Sequence, residues 1–120
     1  MLMYARDDDP GAAHWRELPP SSQVEAAATA FQMLADPTRL RLLWLLAGRE
    51  HDVTELADAV GAARPAVSQH LAKLRLAGLV SSRRDGRRAL YRARGGHVRR
   101  LLVEALGAAD HAVTGSPDHA

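Results

Sequence analysis

A mainly α-helical domain carrying a small β-hairpin is what this sequence predicts, and three observations predict it. Hydrophobic residues make up 47% of the 120, but aromatics only 4%, so the core must be Leu, Val and Ala, as in many small helical domains. A helical pattern from Arg64 to Leu74 runs into Gly78, and two short strand-like runs joined by Asp85-Gly86 follow it. Charge is also segregated. Between Arg64 and Arg100 stand eleven basic residues and one acid, Asp85, while the rest of the chain has five basic residues and thirteen acids. Two consecutive short helices followed by an arginine-rich hairpin form a winged helix-turn-helix. A basic block of this kind presents a positive face to a polyanion.

The elements can be justified in order. Residues 1–20 contain Asp7-Asp8-Asp9-Pro10-Gly11 and Pro19-Pro20 and read as a mobile arm. A first helix starts after Ser21 or Ser22, with Val24, Ala28, Phe31 and Leu34 forming one apolar face. Asp36-Pro37 is an N-cap followed by proline at the first helical position. The helix it opens runs through Leu40, Leu42, Leu43, Trp44, Leu45 and Leu46 to near Gly48 and is apolar on most sides, the mark of a buried centre. Asp52-Val53-Thr54-Glu55 resembles a capping box with an acid in the cap position. A short third helix through Leu56 and Val60 ends at Gly61.

Pro65 then starts the fourth helix, with Val67, Leu71 and Leu74 facing inward. Ala63 takes its N-cap position, forgoing on the order of 1 kcal/mol of capping. Leu79 to Arg84 and Arg88 to Ala93 form the hairpin, with Asp85-Gly86 as a tight turn. A fifth helix starts near His97, and Val98, Leu101, Leu102, Ala105, Leu106 and Ala109 make its apolar stripe. The domain thus spans residues 21–112, with a flexible tail over 113–120.

Several function classes are excluded or disfavoured. The absence of cysteine rules out disulfides and thiolate metal sites and makes the cytoplasm the default compartment. The first thirty residues hold no apolar run long enough for a signal peptide or membrane span, so no membrane partner is expected. No carboxylate pair, nucleophile–base arrangement or glycine-rich phosphate loop points to an enzyme.

The expected partner is a double-stranded DNA operator. Helical spacing puts Ser68, Gln69, Ala72 and Lys73 on the outer side of the fourth helix. Gln69 has the paired donor and acceptor that match adenine in the major groove, and Ser68 can reach either groove partner. Arg64 and Lys73 suit phosphate, and the hairpin residues Arg83, Arg84, Arg87 and Arg88 would clamp the backbone or enter a minor groove. For Ser68 and Gln69 singly, ordinary solvated helix surface is an equal reading. His70, on the flank of the core stripe, reads as a packed or capping histidine. A homodimer is expected, because bacterial operators are commonly two-fold symmetric and the apolar faces of the first and fifth helices have no other partner in so short a chain.

The six histidines include His97 and His111, fourteen residues apart and therefore on one side of the fifth helix. At 1.5 Å per residue they are about 21 Å apart, too far for one metal with bonds near 2.1 Å to touch both within a chain. Two fifth helices packed antiparallel across a dimer would bring His97 of one subunit near His111 of the other. The competing reading is a helix-start residue and a solvated helix-end residue, the latter favoured by the helix dipole. His14 and His51 read as solvated surface residues.

Leu34-Ala35-Asp36-Pro37-Thr38-Arg39-Leu40, Glu55-Leu56-Ala57, Val67-Ser68-Gln69-His70-Leu71 and Leu74-Arg75-Leu76-Ala77-Gly78-Leu79-Val80 together resemble the ArsR/SmtB family of bacterial winged-helix regulators, over roughly residues 21–112. Its members sense metals or other signals as homodimers. The helix after the hairpin looks most like that of the nickel- and cobalt-responsive actinobacterial members. That resemblance implies a Ni2+ or Co2+ site formed by His97, Asp110, His111 and His119, not required for folding. A second tail histidine expected beside His119 is Ala120, which leaves the site incomplete. The zinc-type pattern would need an acid and a histidine where this chain has Gly95 and Ala108. Ala57 and Ala59 stand where soft-metal sensors carry cysteine. Two alternatives accompany this reading: a regulator signalled by a partner protein with incidental metal binding, and a metal-buffering protein with an idle winged domain.

Overall fold

The computed structural model describes residues 17–115. Its elements are α1 (Ser21–Leu34), α2 (Pro37–Gly48), α3 (Val53–Val60), α4 (Arg64–Leu76), β1 (Val80–Asp85), β2 (Arg88–Ala93) and α5 (Gly95–Thr114). The predicted arrangement, five helices with one antiparallel hairpin between the fourth and fifth, is the observed one.

Local signals place the helix ends. Asp36 caps α2 by accepting a hydrogen bond from the Arg39 amide at 3.0 Å. At α3 the capping box is complete: Asp52 accepts from the Glu55 amide at 2.8 Å, and the Asp52 amide donates to Glu55 Oε1 at 2.9 Å. Gly61 closes α3 in the left-handed region at φ 68°, where glycine carries no Cβ penalty. Ala63 caps α4 without a side-chain hydrogen bond. The helix begins at Arg64, one residue before Pro65, and the Arg64 guanidinium donates to the Thr54 hydroxyl at 3.0 Å. That bond ties the start of α4 to α3.

The end of α4 accounts for a one-residue shift in the hairpin. Gly78 adopts φ 77°, its amide donates to the Arg75 carbonyl, and the Leu79 amide donates to the Leu74 carbonyl at 2.9 Å. This is a Schellman closure with Leu79 packed beside Leu74. Leu79 is therefore spent on the cap, and β1 starts at Val80 rather than Leu79. Likewise Asp85 is the last strand residue, paired with Arg88, and the two-residue turn is Gly86-Arg87. Gly86 has φ 65° while Arg87 does not have positive φ, the sign pattern of a II′ hairpin turn.

The core gathers Leu42, Leu43 and Leu46 of α2, Leu56 and Ala57 of α3, Val67, Leu71 and Leu74 of α4, Leu79, Val80, and Val98 and Leu102 of α5. As expected α2 is central, touching α1, α3, α4, α5 and β2. It is not enclosed on all sides, because Trp44 remains 50% exposed. Helix α1 buries no residue fully, and Phe31 is 58% exposed. Helix α5 is packed only through its first half; Leu106 and Val113 lie open. Apolar faces left uncovered on two helices need a further surface to cover them.

Candidate nucleic-acid interface

The core stripe of α4 decides which of its residues face out. Val67, Leu71 and Leu74 are 0% exposed, and Ser68, Gln69, Ala72 and Lys73 stand on the opposite, exposed side. No hydrogen bond or ion pair engages the side chains of Ser68, Gln69 or Lys73 among the described residues. They are therefore available to a ligand without first breaking an internal contact. His70 is half-buried, with Nδ1 3.4 Å from Arg39 Nη1. Arg39 also donates to the Met33 carbonyl at 2.7 Å. This cluster braces α4 against the α1–α2 corner, as a packed histidine would. The amide of Arg39, then the charges of His70 and Arg39, hold the Asp36 carboxyl below its usual range against an opposing desolvation effect.

The four arginines nearest the hairpin turn divide into two pairs. Arg83 makes a two-pronged contact with Glu50, Nε to Oε2 at 2.8 Å and Nη2 to Oε1 at 2.9 Å. Arg88 reaches Asp52 Oδ2 at 3.2 Å. Strand register explains the pairing: Arg83 lies opposite Leu90 and Asp85 opposite Arg88, on one face, whereas Arg84 lies opposite Ala89 on the other. Arg84, and Arg87 in the turn, are exposed and have no partner among the described residues.

The counter-charges come from the α2–α3 connection, which is itself strapped to the hairpin. His51 and Tyr91 exchange backbone hydrogen bonds of 3.1 and 2.8 Å, extending the sheet by one bridge beyond β2. His51 is consequently buried, 9% exposed, rather than on the surface as expected from its place before α3. Its Nδ1 lies 3.8 Å from Glu55 Oε1. Sequence reasoning assigned Asp52 only a capping role and gave Glu50 none. The available signal was two acids flanking a histidine opposite an Arg-rich hairpin, but it has meaning only once the strap is known.

The Arg83 hydrogen bonds are the main cause that holds the Glu50 carboxyl below its ordinary value, and Glu50 in turn raises Arg83. A carboxyl depressed on folding stabilises the folded state above its unfolded pKa, and that contribution is lost as pH falls through the folded value. The strap should therefore loosen only below the usual carboxylate range and stay intact near neutrality. Glu50→Gln is expected to release Arg83 and tighten binding to a non-specific duplex about fivefold at ~0.15 M salt, with a salt slope steeper by about 0.9. An unchanged slope would mean that Arg83 does not reach DNA.

The residues considered for metal do not converge within one chain. His97 and Asp110 are exposed and His111 is half-buried, at opposite ends of α5. Arg100 Nη2 lies 2.9 Å from His97 Nδ1, so a metal at that nitrogen would have to displace the guanidinium. Among the described residues no group of three or more His, Asp or Glu side chains is placed to hold a metal ion. His119 and His14 lie outside the described residues. The donor set is imidazole and carboxylate, which suits borderline cations rather than soft ones, but it fits a metal only if ligands beyond those of the described residues, from a second chain or the tail, complete it.

Comparison with known proteins assigns the fold and the family. Residues 36–82 match the family model described as bacterial regulatory protein, arsR family. The chain is 52% identical over 100 residues to the HTH-type transcriptional regulator KmtR of Mycobacterium tuberculosis, covering 83% of this chain and 77% of that protein. It is 41% identical over 101 residues to the transcriptional regulator NmtR of the same organism, covering 83% and 84%. Among solved structures, a homodimeric winged helix-turn-helix DNA-binding domain from Mycobacterium bovis superposes with TM-score 0.75 at 33% identity, over 83% of this chain and 93% of that one. NolR from Sinorhizobium fredii superposes with TM-score 0.65 at 35% identity, over 84% and 98%. These relatives are DNA-binding regulators rather than enzymes, and no helix among the described residues is long and apolar enough to cross a membrane. With its exposed α4 face, its arginine hairpin and its extended likeness to these regulators, the chain belongs to the ArsR/SmtB family of winged helix-turn-helix transcriptional regulators.

Proposed function

We propose that this protein is a homodimeric regulator that reads its operator through α4 and the hairpin and responds to nickel or cobalt at a site between its subunits. The observation that carries this reading is the state of α5. His97 and His111 share one side of it about 21 Å apart, and among the described residues no group of three or more metal-binding side chains forms. At the same time Phe31 of α1 and Val103 and Leu106 of α5 are exposed among the described residues. An antiparallel pairing of two α5 helices would cover apolar surface and bring His97 of one subunit toward Asp110 and His111 of the other, with His119 added from the tail. A metal there would set the spacing of the two reading heads, and its coupling to DNA would be reciprocal.

On DNA, Gln69 reads a base edge with Ser68 beside it, Arg64 and Lys73 hold phosphate, and Arg84 and Arg87 contact the backbone beside α4. Arg83 and Arg88 are held back by Glu50 and Asp52 until DNA competes for them. Gln69→Ala should lower operator affinity by about 1–3 kcal/mol while leaving non-specific binding little changed. Equal losses on both DNAs would remove it as a base reader.

The test of the whole reading is calorimetric titration of nickel, cobalt and zinc into the purified protein, with and without operator DNA, alongside sedimentation. The expected result is a dimer at micromolar concentration that binds nickel or cobalt with an affinity altered by DNA. His97→Ala or His111→Ala should abolish nickel binding. Unaltered stoichiometry in both variants would move the site elsewhere, and a monomer would overturn the intersubunit arrangement.

A further inference from the structure

The end of α2, the end of β2 and the start of α5 border a solvent-open cavity of about 520 Å3 whose polar wall is Arg49, Glu50, Arg92, Gly95, Gly96 and Arg99. Three guanidinium groups from three elements therefore meet one carboxylate. That carboxylate is already engaged, since both oxygens of Glu50 accept from Arg83 at 2.8 and 2.9 Å. Arg92 and Arg99 have no hydrogen-bond or ion-pair partner among the described residues. Arg49 spends one nitrogen on the Glu50 carbonyl at 3.0 Å and stands 3.9 Å from Glu55. The cavity therefore carries a net positive charge, with Glu50 its one acid and close enough to feel the charge of Arg92.

Its floor adds to this. Helix α5 starts here with no side-chain cap and no acid in its first turn, so the partial positive charge and free amides of its first turn are uncompensated. Gly95, with φ 67°, leaves the backbone open at this point, while the Arg100 guanidinium lies against Gly96, 3.0 Å from where a Cβ would stand. No aromatic ring lines the cavity, so a nucleobase would find nothing to stack on, and the recognisable feature is an oxyanion alone. Arginine's planar fork suits the paired oxygens of a phosphoryl group.

We propose that this cavity is a binding site for a phosphate-type oxyanion, held by Arg92 and Arg99 with Arg49 at its edge and seated over the start of α5. The ion would join the hairpin to the dimerisation helix and so stiffen the link between the reading head and the rest of the protein. The proposal does not depend on the metal response. The same chemistry has two sources, a free phosphate or a phosphate of the DNA backbone.

The test has two arms on the full chain. In the first, inorganic phosphate is titrated at constant ionic strength against a chloride control, with the amide resonances of Gly95 and Gly96 as readout. Saturable shifts in the wild type, weakened about tenfold or more in Arg92→Ala and Arg99→Ala, establish a free-phosphate site. In the second, the salt slope of binding to a non-specific duplex is measured. No response to free phosphate, with each variant lowering the slope by about 0.9, establishes a backbone-phosphate site. Arg94→Ala is the control, because Arg94 adjoins the cavity without lining it. The proposal is overturned if neither arm responds, or if Arg94→Ala lowers phosphate affinity or slope as much as Arg92→Ala does. Circular dichroism verifies that these variants of exposed residues remain folded.

Discussion

Arg84→Ala combined with Arg87→Ala is expected to weaken binding to any DNA duplex roughly thirtyfold at ~0.15 M salt and to flatten the salt dependence by up to about 1.8 in slope, since each lost phosphate contact removes about 0.9. These two are the arginines at the tip of the hairpin, and no carboxylate among the described residues restrains them. Removing them breaks no internal contact, so the folded state should be unaffected and the loss should appear wholly in DNA binding. Operator and random DNA should suffer equally, because phosphate contacts carry no sequence information. Arg83→Ala alone should cost less, since part of its interaction with DNA is offset by giving up Glu50. The measurement is fluorescence anisotropy across a salt series. An unchanged slope in the double variant would show that the hairpin does not touch DNA.

Leu71→Ala is expected to cost about 2–5 kcal/mol of folding stability. Leu71 is 0% exposed, between Val67 and Leu74 on the inner side of α4 and within the cluster that joins that helix to α2 and α3. A domain of this size has about 5–15 kcal/mol to lose, so the variant should unfold at markedly lower urea concentration. Its operator affinity should fall as well, because the orientation of Gln69 and Ser68 derives from this stripe and from no other contact of their own. Urea unfolding followed by circular dichroism measures the first effect. A loss below about 1 kcal/mol would show that α4 is held by something other than its core stripe.

Helix boundaries were legible wherever one or two residues decide them. Asp36-Pro37, Asp52 with Glu55, Gly61 and Gly78 act through hydrogen bonds to backbone a few residues away, and such bonds form in the same way wherever the helix is placed. The outward side of α4 was legible for a related reason, because the 3.6-residue period leaves only one side for Ser68, Gln69 and Lys73 once Val67, Leu71 and Leu74 turn inward. The hairpin was legible as a hairpin but misplaced by one residue at both its start and its turn. Leu79 and Asp85 each had two plausible uses, and the Schellman closure and the strand register chose between them.

The half-exposure of Trp44 on α2 and the burial of His51 were not legible. Both depend on which distant segment covers a residue: the described residues leave Trp44 half uncovered, and Tyr91 pairs with His51 from forty positions away in sequence.

By itself the sequence determined the order of elements, the composition of the core, the side of α4 turned to solvent and the concentration of arginine after residue 64. All of these follow from local hydrogen bonding, from periodicity or from counting charge. Only the tertiary structure decided how that charge is used. It ties Arg83 and Arg88 to Glu50 and Asp52, leaves Arg84 and Arg87 without a partner among the described residues, and gathers Arg49, Arg92 and Arg99 around one cavity. The physical reason is that the energy of a charge depends on its distance from other charges in space. Glu50 and Arg83 are thirty-three residues apart in the chain, yet their side chains meet at 2.8 Å.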